Sequence, residues 1–213
     1  MVLKLYGFFG STCTKRVATV LHEKNIPFQF INVDLSKAEH KAADFKAKQP
    51  FGQVPYIDDE GFTLYESRAI CRYLDAKYTT GTKLVPQDLK ARALFEQAAS
   101  IEQSNFDSIA APLAWEKVIK KRYGQEPDEA RVTELTGRLA QKLDAYEQIL
   151  SKQKYLAGDE LTLADLFHLP YGALLGVAGI NLIQERPHVA KWFNELSSRP
   201  SWQAVKEKVE GTA

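Results

Sequence analysis

Ser11 stands where an extended run, residues 2–6, and a glycine-flanked loop, residues 7–10, give way to a helical pattern beginning at Thr12. A hydroxyl there can cap the first free N–H groups of the helix. It can also lend its proton to an anion held at the positive end of the helix dipole. On position alone the cap is the plainer reading. Tyr6, which closes the extended run, offers a phenol as a rival donor. Cys13 lies about 200° round the helix from Ser11 and so faces elsewhere. With no C-x-x-C motif it reads as a small buried side chain, and Cys71, beside Ile70 and Leu74, reads as core.

Further along, Val54-Pro55 is a bond of the kind that tolerates the cis form. Glu66-Ser67 opens another helical run, whose free N–H groups suit an anion, although both residues are also good helix starters. Glu39-His40-Lys41 is a charge cluster, which by itself reads as solvated surface. Asp165 and His168 lie three apart with no third ligand at useful spacing, so no metal site is expected. Thr162 with Asp165 fits a capping-box start better.

The elements that must position these groups follow from periodicity. Alternating residues 2–6 read as a strand, residues 12–25 as a helix with Val17, Val20 and Leu21 on one face, and residues 28–33 as a second strand. A strand–helix–strand unit predicts two parallel strands with a right-handed crossover. Residues 39–47 read as a short charged helix, 54–57 and 62–65 as hairpin strands, and 66–78 as a helix. Residues 79–87 are rich in turn formers and read as a linker. The rest is helical in pattern, over 88–123, 128–151, 162–178, 187–197 and 201–209. The expected architecture is α/β plus all-α. A thioredoxin-like domain covers residues 1–79, and an all-helical domain covers residues 88–213.

Composition bounds the partners. Residues 1–78 carry eleven basic and nine acidic side chains, and residues 79–213 carry seventeen and eighteen. Neither half attracts nucleic acid or an acidic membrane, so any pull on a small anion is local. No apolar run is long enough to span a bilayer. The first residues lack the pattern of a signal peptide, and two cysteines make no disulfide framework. A cytoplasmic location is expected.

Four stretches carry a resemblance across the first domain: Ser11-Thr12-Cys13-Thr14-Lys15-Arg16-Val17, Asn25-Ile26-Pro27-Phe28, Pro50-Phe51-Gly52-Gln53-Val54-Pro55 and Leu64-Tyr65-Glu66-Ser67-Arg68-Ala69-Ile70. Two more extend it: Tyr155-Leu156-Ala157-Gly158-Asp159 and Leu161-Thr162-Leu163-Ala164-Asp165-Leu166. In this order and spacing the chain resembles the cytosolic glutathione transferases, most closely the phi class, over nearly its full length.

The resemblance implies an enzyme that ionises the thiol of glutathione and passes it to electrophiles, with organic peroxides as further acceptors. Glutathione is then a co-substrate, and no other cofactor is implied. Ser11 takes the catalytic role. A free thiol titrates near ~8.5, and lowering that by about two units needs roughly 2.7 kcal/mol. A hydroxyl hydrogen bond to an anion supplies ~1.5–3 kcal/mol and a helix N-terminus ~0.3–1 kcal/mol; together they suffice. The resemblance further assigns glutathione contacts to His40, Lys41, Gln53, Val54, Pro55, Glu66 and Ser67. Val54-Pro55 is implied to be cis, Ser67 to meet the γ-glutamyl carboxylate and Glu66 its ammonium. Phe8, Phe9, Trp115 and Ile119 are implied to line an apolar electrophile pocket. Phe51 is a candidate anchor in a homodimer. The alternative is a non-catalytic carrier of apolar or phenolic compounds, which the same aromatics would serve.

Overall fold

The structure is a computed structural model, and it describes residues 2–213. The chain divides into two compact units. The first comprises the chain up to Val85 together with Pro200–Ala213, and the second Pro86–Arg199.

In the first unit, β1 (Leu3–Gly7), α1 (Thr12–Glu23) and β2 (Phe28–Asn32) form the expected strand–helix–strand unit, with β1 and β2 parallel. The strand β3 (Tyr56–Asp59) pairs antiparallel with β1 and with β4 (Phe62–Tyr65), giving the order β2-β1-β3-β4. A further helix, α3 (Ser67–Lys77), packs beside α1. Strand alternation decides which side chains these helices cover. Leu3, Leu5 and Ile57 are buried. Gly7 lies so close to α1 that a Cβ there would sit 2.6 Å from the Thr14 side chain. Asp59 accepts hydrogen bonds from Tyr73 and Lys77 of α3 at 2.7 and 2.6 Å. Burial pushes its carboxyl up, but these donors outweigh that and hold it below the usual carboxylate range.

The expected helix over 39–47 is two pieces, a 3₁₀ turn Glu39–Lys41 and α2 (Ala43–Lys46). Ala38, left-handed at φ 56°, precedes the first piece, and Ala42, which is extended, breaks the helical path between the two.

Residues 79–87 are pinned rather than free. Thr80 Oγ1 donates to the Lys24 carbonyl, and Thr82 bonds both the carbonyl and the carboxylate of Glu23. The Leu84 and Val85 N–H groups both donate to Asp75, which also pairs with buried Lys24 at 3.0 Å. Gly81, at φ +64°, is what lets this segment approach, because a Cβ would sit 2.3 Å from the Glu23 carbonyl oxygen.

The chain's end also differs from the expected all-helical domain over 88–213. Pro200–Ala213 returns to the first unit. Only α11 (Pro200–Gln203) of the expected 201–209 helix is helical. Ser201 Oγ donates to the Glu23 carboxylate, and the Thr212 N–H donates to the Phe28 carbonyl at 2.9 Å. At Phe28 the edge of β2 finds partners in this way.

The second unit is helical. A continuous rod runs through α4 (Leu89–Ile101), a π turn Glu102–Asp107, α5 (Ser108–Ala114), a π turn Trp115–Ile119 and α6 (Lys120–Arg122). Pro112, which cannot donate within the helix, sits between the two π turns. The unit continues with α7 (Glu129–Leu150), α8 (Leu163–Leu166), α9 (Leu169–Val177) and α10 (Pro187–Ser197). The expected helix over 162–178 breaks after α8 because Pro170, in the first turn of α9, has no N–H to continue the ladder. Among the described residues no helix is long and apolar enough to cross a membrane.

Candidate functional site

Ser11 is the N-cap of α1, extended at φ −75° and ψ 131°. Its Oγ accepts from the Thr14 N–H at 3.4 Å, a long bond. This contact uses a lone pair and leaves the hydroxyl proton free, so the cap and a donor to an anion can coexist in one side chain. Ser11 is half-buried, at the C-terminal end of β1 where the loop places it over the start of α1.

Tyr6 belongs to the other face of the sheet. Gly7 and Leu5 face α1, so Tyr6, between them, points away from it. Its ring stacks on Tyr56 at 4.4 Å and 9°, and Phe45 of α2 leans edge-on against Tyr56. Burial pushes the Tyr56 phenol up to about 12. These aromatics are packing, and alternation keeps Tyr6 from sharing the α1 end with Ser11.

The Val54–Pro55 bond is cis, and β3 begins directly after it. Beside it, Lys41 Nζ donates to the Gly52 carbonyl at 2.7 Å, and the Gln53 N–H donates to Gln49 Oε1. Gly52, at φ +60°, sits so close that a Cβ would lie 2.8 Å from the His40 carbonyl oxygen. His40, Lys41 and Gln53 are therefore gathered by one turn. His40 is half-buried; burial, then the Lys41 charge, holds its pKa below the ordinary imidazole value. Its Nδ1 is shielded from water and has no hydrogen-bond partner among the described residues.

Glu66 is the N-cap of α3 at φ 69° and ψ 106°, a sparsely populated backbone state for a non-glycine residue. Such states cost about 1–3 kcal/mol and concentrate at binding sites. The turn leaves Glu66 exposed and sets Ser67, buried, as the first residue of α3.

The sequence reading missed the group beneath Ser67. Arg16 is 1% exposed, and its Nη1 donates to Ser67 Oγ at 3.0 Å and to Cys13 Sγ at 3.6 Å. Its signal was present, since Arg16 lies four residues before Val20 and so on the buried face of α1. The same contact corrects the expectation for Cys13, which is half-buried rather than packed away. Cys71 is fully buried, and burial pushes its thiol up to about 12.

Phe8 and Phe9 pack against each other at 4.5 Å, ahead of Ser11. Phe9 lines a recess of about 520 Å³ with Phe30, Asn32 and residues 208–211. Trp115 and Ile119 lie in the second unit on the second π turn, and the half-exposed Trp115 ring sits 6.3 Å from Tyr123. Phe51 is 64% exposed, and the Tyr65 ring is set edge-on beside it at 6.1 Å.

Asp165 and His168 are committed to structure. The Asp165 carboxylate accepts from the Leu156 N–H, the Thr162 N–H and hydroxyl, and Trp192 Nε1 at 2.8–3.0 Å. This includes the capping box at Thr162. His168 bonds the Ala164 carbonyl through Nδ1 and the Tyr146 hydroxyl through Nε2.

Residues 1–76 match the family model "Glutathione S-transferase, N-terminal domain", and residues 106–200 match "Glutathione S-transferase, C-terminal domain". Glutathione S-transferase PM239X14 of Arabidopsis thaliana is 48% identical over 197 residues, covering 91% of this chain and 90% of the relative. The crystal structure of glutathione transferase F7 from Populus trichocarpa superposes with a TM-score of 0.93 at 42% identity, covering 97% and 98% of the two chains. Glutathione S-transferase I from mais, solved in complex with an atrazine glutathione conjugate, gives a TM-score of 0.90 at 32% identity, with 97% of each chain covered.

Proposed function

The chain belongs to the glutathione S-transferase family and to its phi class, and on that premise we propose that Ser11 is the group that keeps bound glutathione ionised. The protein is an enzyme, a glutathione transferase. The observation that carries the role of Ser11 is its position as a loosely held cap. The Oγ lone pair goes to the Thr14 N–H, the hydroxyl proton is free, and the α1 dipole points at the same place. The proton leaves the thiol for solvent, and the sulfur that remains accepts from the Ser11 hydroxyl.

Glutathione binds along the first unit. Its γ-glutamyl carboxylate meets Ser67 and the free N–H groups of α3, and its ammonium meets Glu66. Its cysteinyl main chain pairs with Val54 beside cis-Pro55, in the manner of an added strand. Its glycyl carboxylate lies at His40, Lys41 and Gln53, whose shared turn and whose Lys41 ammonium support an anion there. No other cofactor takes part. In conjugation the sulfur forms a bond to the electrophilic carbon, and the leaving group departs with its electron pair. With an organic peroxide the sulfur attacks oxygen, the O–O bond breaks, and the alkoxide takes a proton to become an alcohol. A second glutathione then displaces water from the sulfenic product to give the disulfide. Phe8 and Phe9, packed against each other ahead of Ser11, supply apolar surface for the electrophile.

The test is a glutathione titration of the purified protein with a chloro-nitrobenzene acceptor, following the thioether by absorbance and the released chloride by ion electrode. Equal, saturable formation of both is expected. A rate no higher than that of free glutathione would sink the reading.

We read the working form as a cytoplasmic homodimer. Both cysteines are free thiols, which suits a reducing compartment. Phe51, an exposed aromatic in a turn, suits an anchor in a partner's pocket. Phe51→Asp is expected to cost about 2 kcal/mol or more of association. Light scattering should then give the 24.0 kDa mass of one chain where the wild type gives twice that. A variant that stays dimeric at micromolar concentration removes Phe51 as the anchor.

A further inference from the structure

Arg16 places a guanidinium in the interior of the first unit, against the hydroxyl of Ser67 fifty-one positions away. A guanidinium has N–H donors and no acceptor, so in this contact Ser67 Oγ must accept. A serine hydroxyl has one proton, and with a lone pair held from below that proton must turn away from Arg16. Beside Ser67 lie the strained Glu66 turn and the free first N–H groups of α3, where a bound acceptor would meet that proton. The guanidinium also puts a fixed positive charge behind the end of α3 that is already positive from the helix dipole.

We propose that Arg16 is a positioning residue for the transferase reaction, locking Ser67 as a hydrogen-bond donor so that the site selects a carboxylate at the γ-glutamyl end of its thiol substrate. The inference rests on the reading that Ser67 meets that carboxylate. Arg16 touches no reacting atom; it acts through Ser67. It should therefore govern the binding of glutathione and leave the chemical step almost untouched, because its guanidinium is committed to Ser67 at the start of α3, whereas the sulfur meets Ser11 at the start of α1.

The alternative is that Arg16 merely ties α1 to α3, and a double-mutant cycle separates the two roles. KM for glutathione and kcat are measured for wild type, Arg16→Gln, Ser67→Ala and the double variant, with melting curves for each. Arg16→Gln should raise KM about tenfold, the scale of one hydrogen bond to a charged group, with kcat within twofold. In the Ser67→Ala background the same change should add less than twofold. Arg16→Lys, which keeps a buried donor and a charge, should recover KM to within about threefold of wild type. A KM unmoved by Arg16→Gln, or raised equally in both backgrounds, overturns the proposal. If Ser67→Ala itself leaves KM unchanged, the assignment of Ser67 fails first, and the role of Arg16 falls with it. If Arg16→Gln does not fold, the cycle is run with Arg16→Lys: a rise of about threefold with Ser67 present and none in the Ser67→Ala background supports the proposal, and equal rises refute it.

Discussion

Ser11→Ala is expected to lower kcat/KM for conjugation roughly 10- to 100-fold and to raise the pKa of bound glutathione by about one to two units, the span of a lost hydrogen bond of ~1.5–3 kcal/mol to an anion. The helix dipole remains in the variant and keeps a smaller share of the stabilisation. That is why activity should fall steeply without vanishing. The wild-type rate should already be near its plateau at neutral pH. The variant rate should keep rising with pH towards the ordinary thiol range near ~8.5, so the two converge in alkali. Ser11→Thr, which restores a hydroxyl, should recover most of the rate.

A capping role alone predicts a different result. Losing an N-cap costs ~0.5–2 kcal/mol of stability. At 3.4 Å the Thr14 contact is weak, so the low end applies. A merely structural Ser11 would lower the melting point slightly and leave the pH profile in place. The measurements are the pH–rate profile and the ultraviolet thiolate absorbance of bound glutathione across pH. A thiol that titrates alike in both proteins removes Ser11 from the chemistry.

The largest effect on stability should come from Asp165→Ala, about 3–5 kcal/mol in urea or thermal unfolding. Asp165 is fully buried, and four donors from three residues converge on its carboxylate. Burial pushes its carboxyl up, and the donors from Leu156, Thr162 and Trp192 oppose that push. Removing the carboxylate strands these donors out of water at ~1–3 kcal/mol each, partly relieved by relaxation. It also unfastens the start of α8, the backbone at Leu156 and the Trp192 indole of α10 together. Against a typical total of ~5–15 kcal/mol the loss is severe, so poor soluble yield is part of the expectation. Asp165→Asn keeps the volume but turns an amide donor towards other donors, and should cost about 2 kcal/mol. An Asp165→Ala protein with a urea midpoint close to wild type would show that the donors find other partners.

These two residues also mark what was legible beforehand. Ser11 and Asp165 act through their neighbours in sequence: a hydroxyl at the start of a helix, and a carboxylate three residues after Thr162. Such short-range patterns carry their own geometry. The same holds for the parallel β1–β2 pair, predicted by a strand–helix–strand run, and for α10, whose span of 187–197 matches its expected range. The cis bond at Val54–Pro55 was expected only through the family resemblance, because proline permits that isomer without requiring it.

Partners far apart in the chain leave no local pattern. Arg16 was visible as a cation on a buried helical face, but nothing local told it to meet Ser67. Residues 79–87 have the composition of a free linker, yet Asp75, Glu23 and Lys24 hold them. Residues 200–213 follow a helical domain, yet they finish against β2 because an edge strand leaves backbone groups that need partners. The sequence by itself determined most element types, the order of the two units and the residues able to carry the chemistry, because propensity and periodicity act over a few residues. Only the tertiary structure decided which of those residues share a site. Burial and hydrogen-bond satisfaction are settled between segments tens of residues apart, and no local pattern records that pairing.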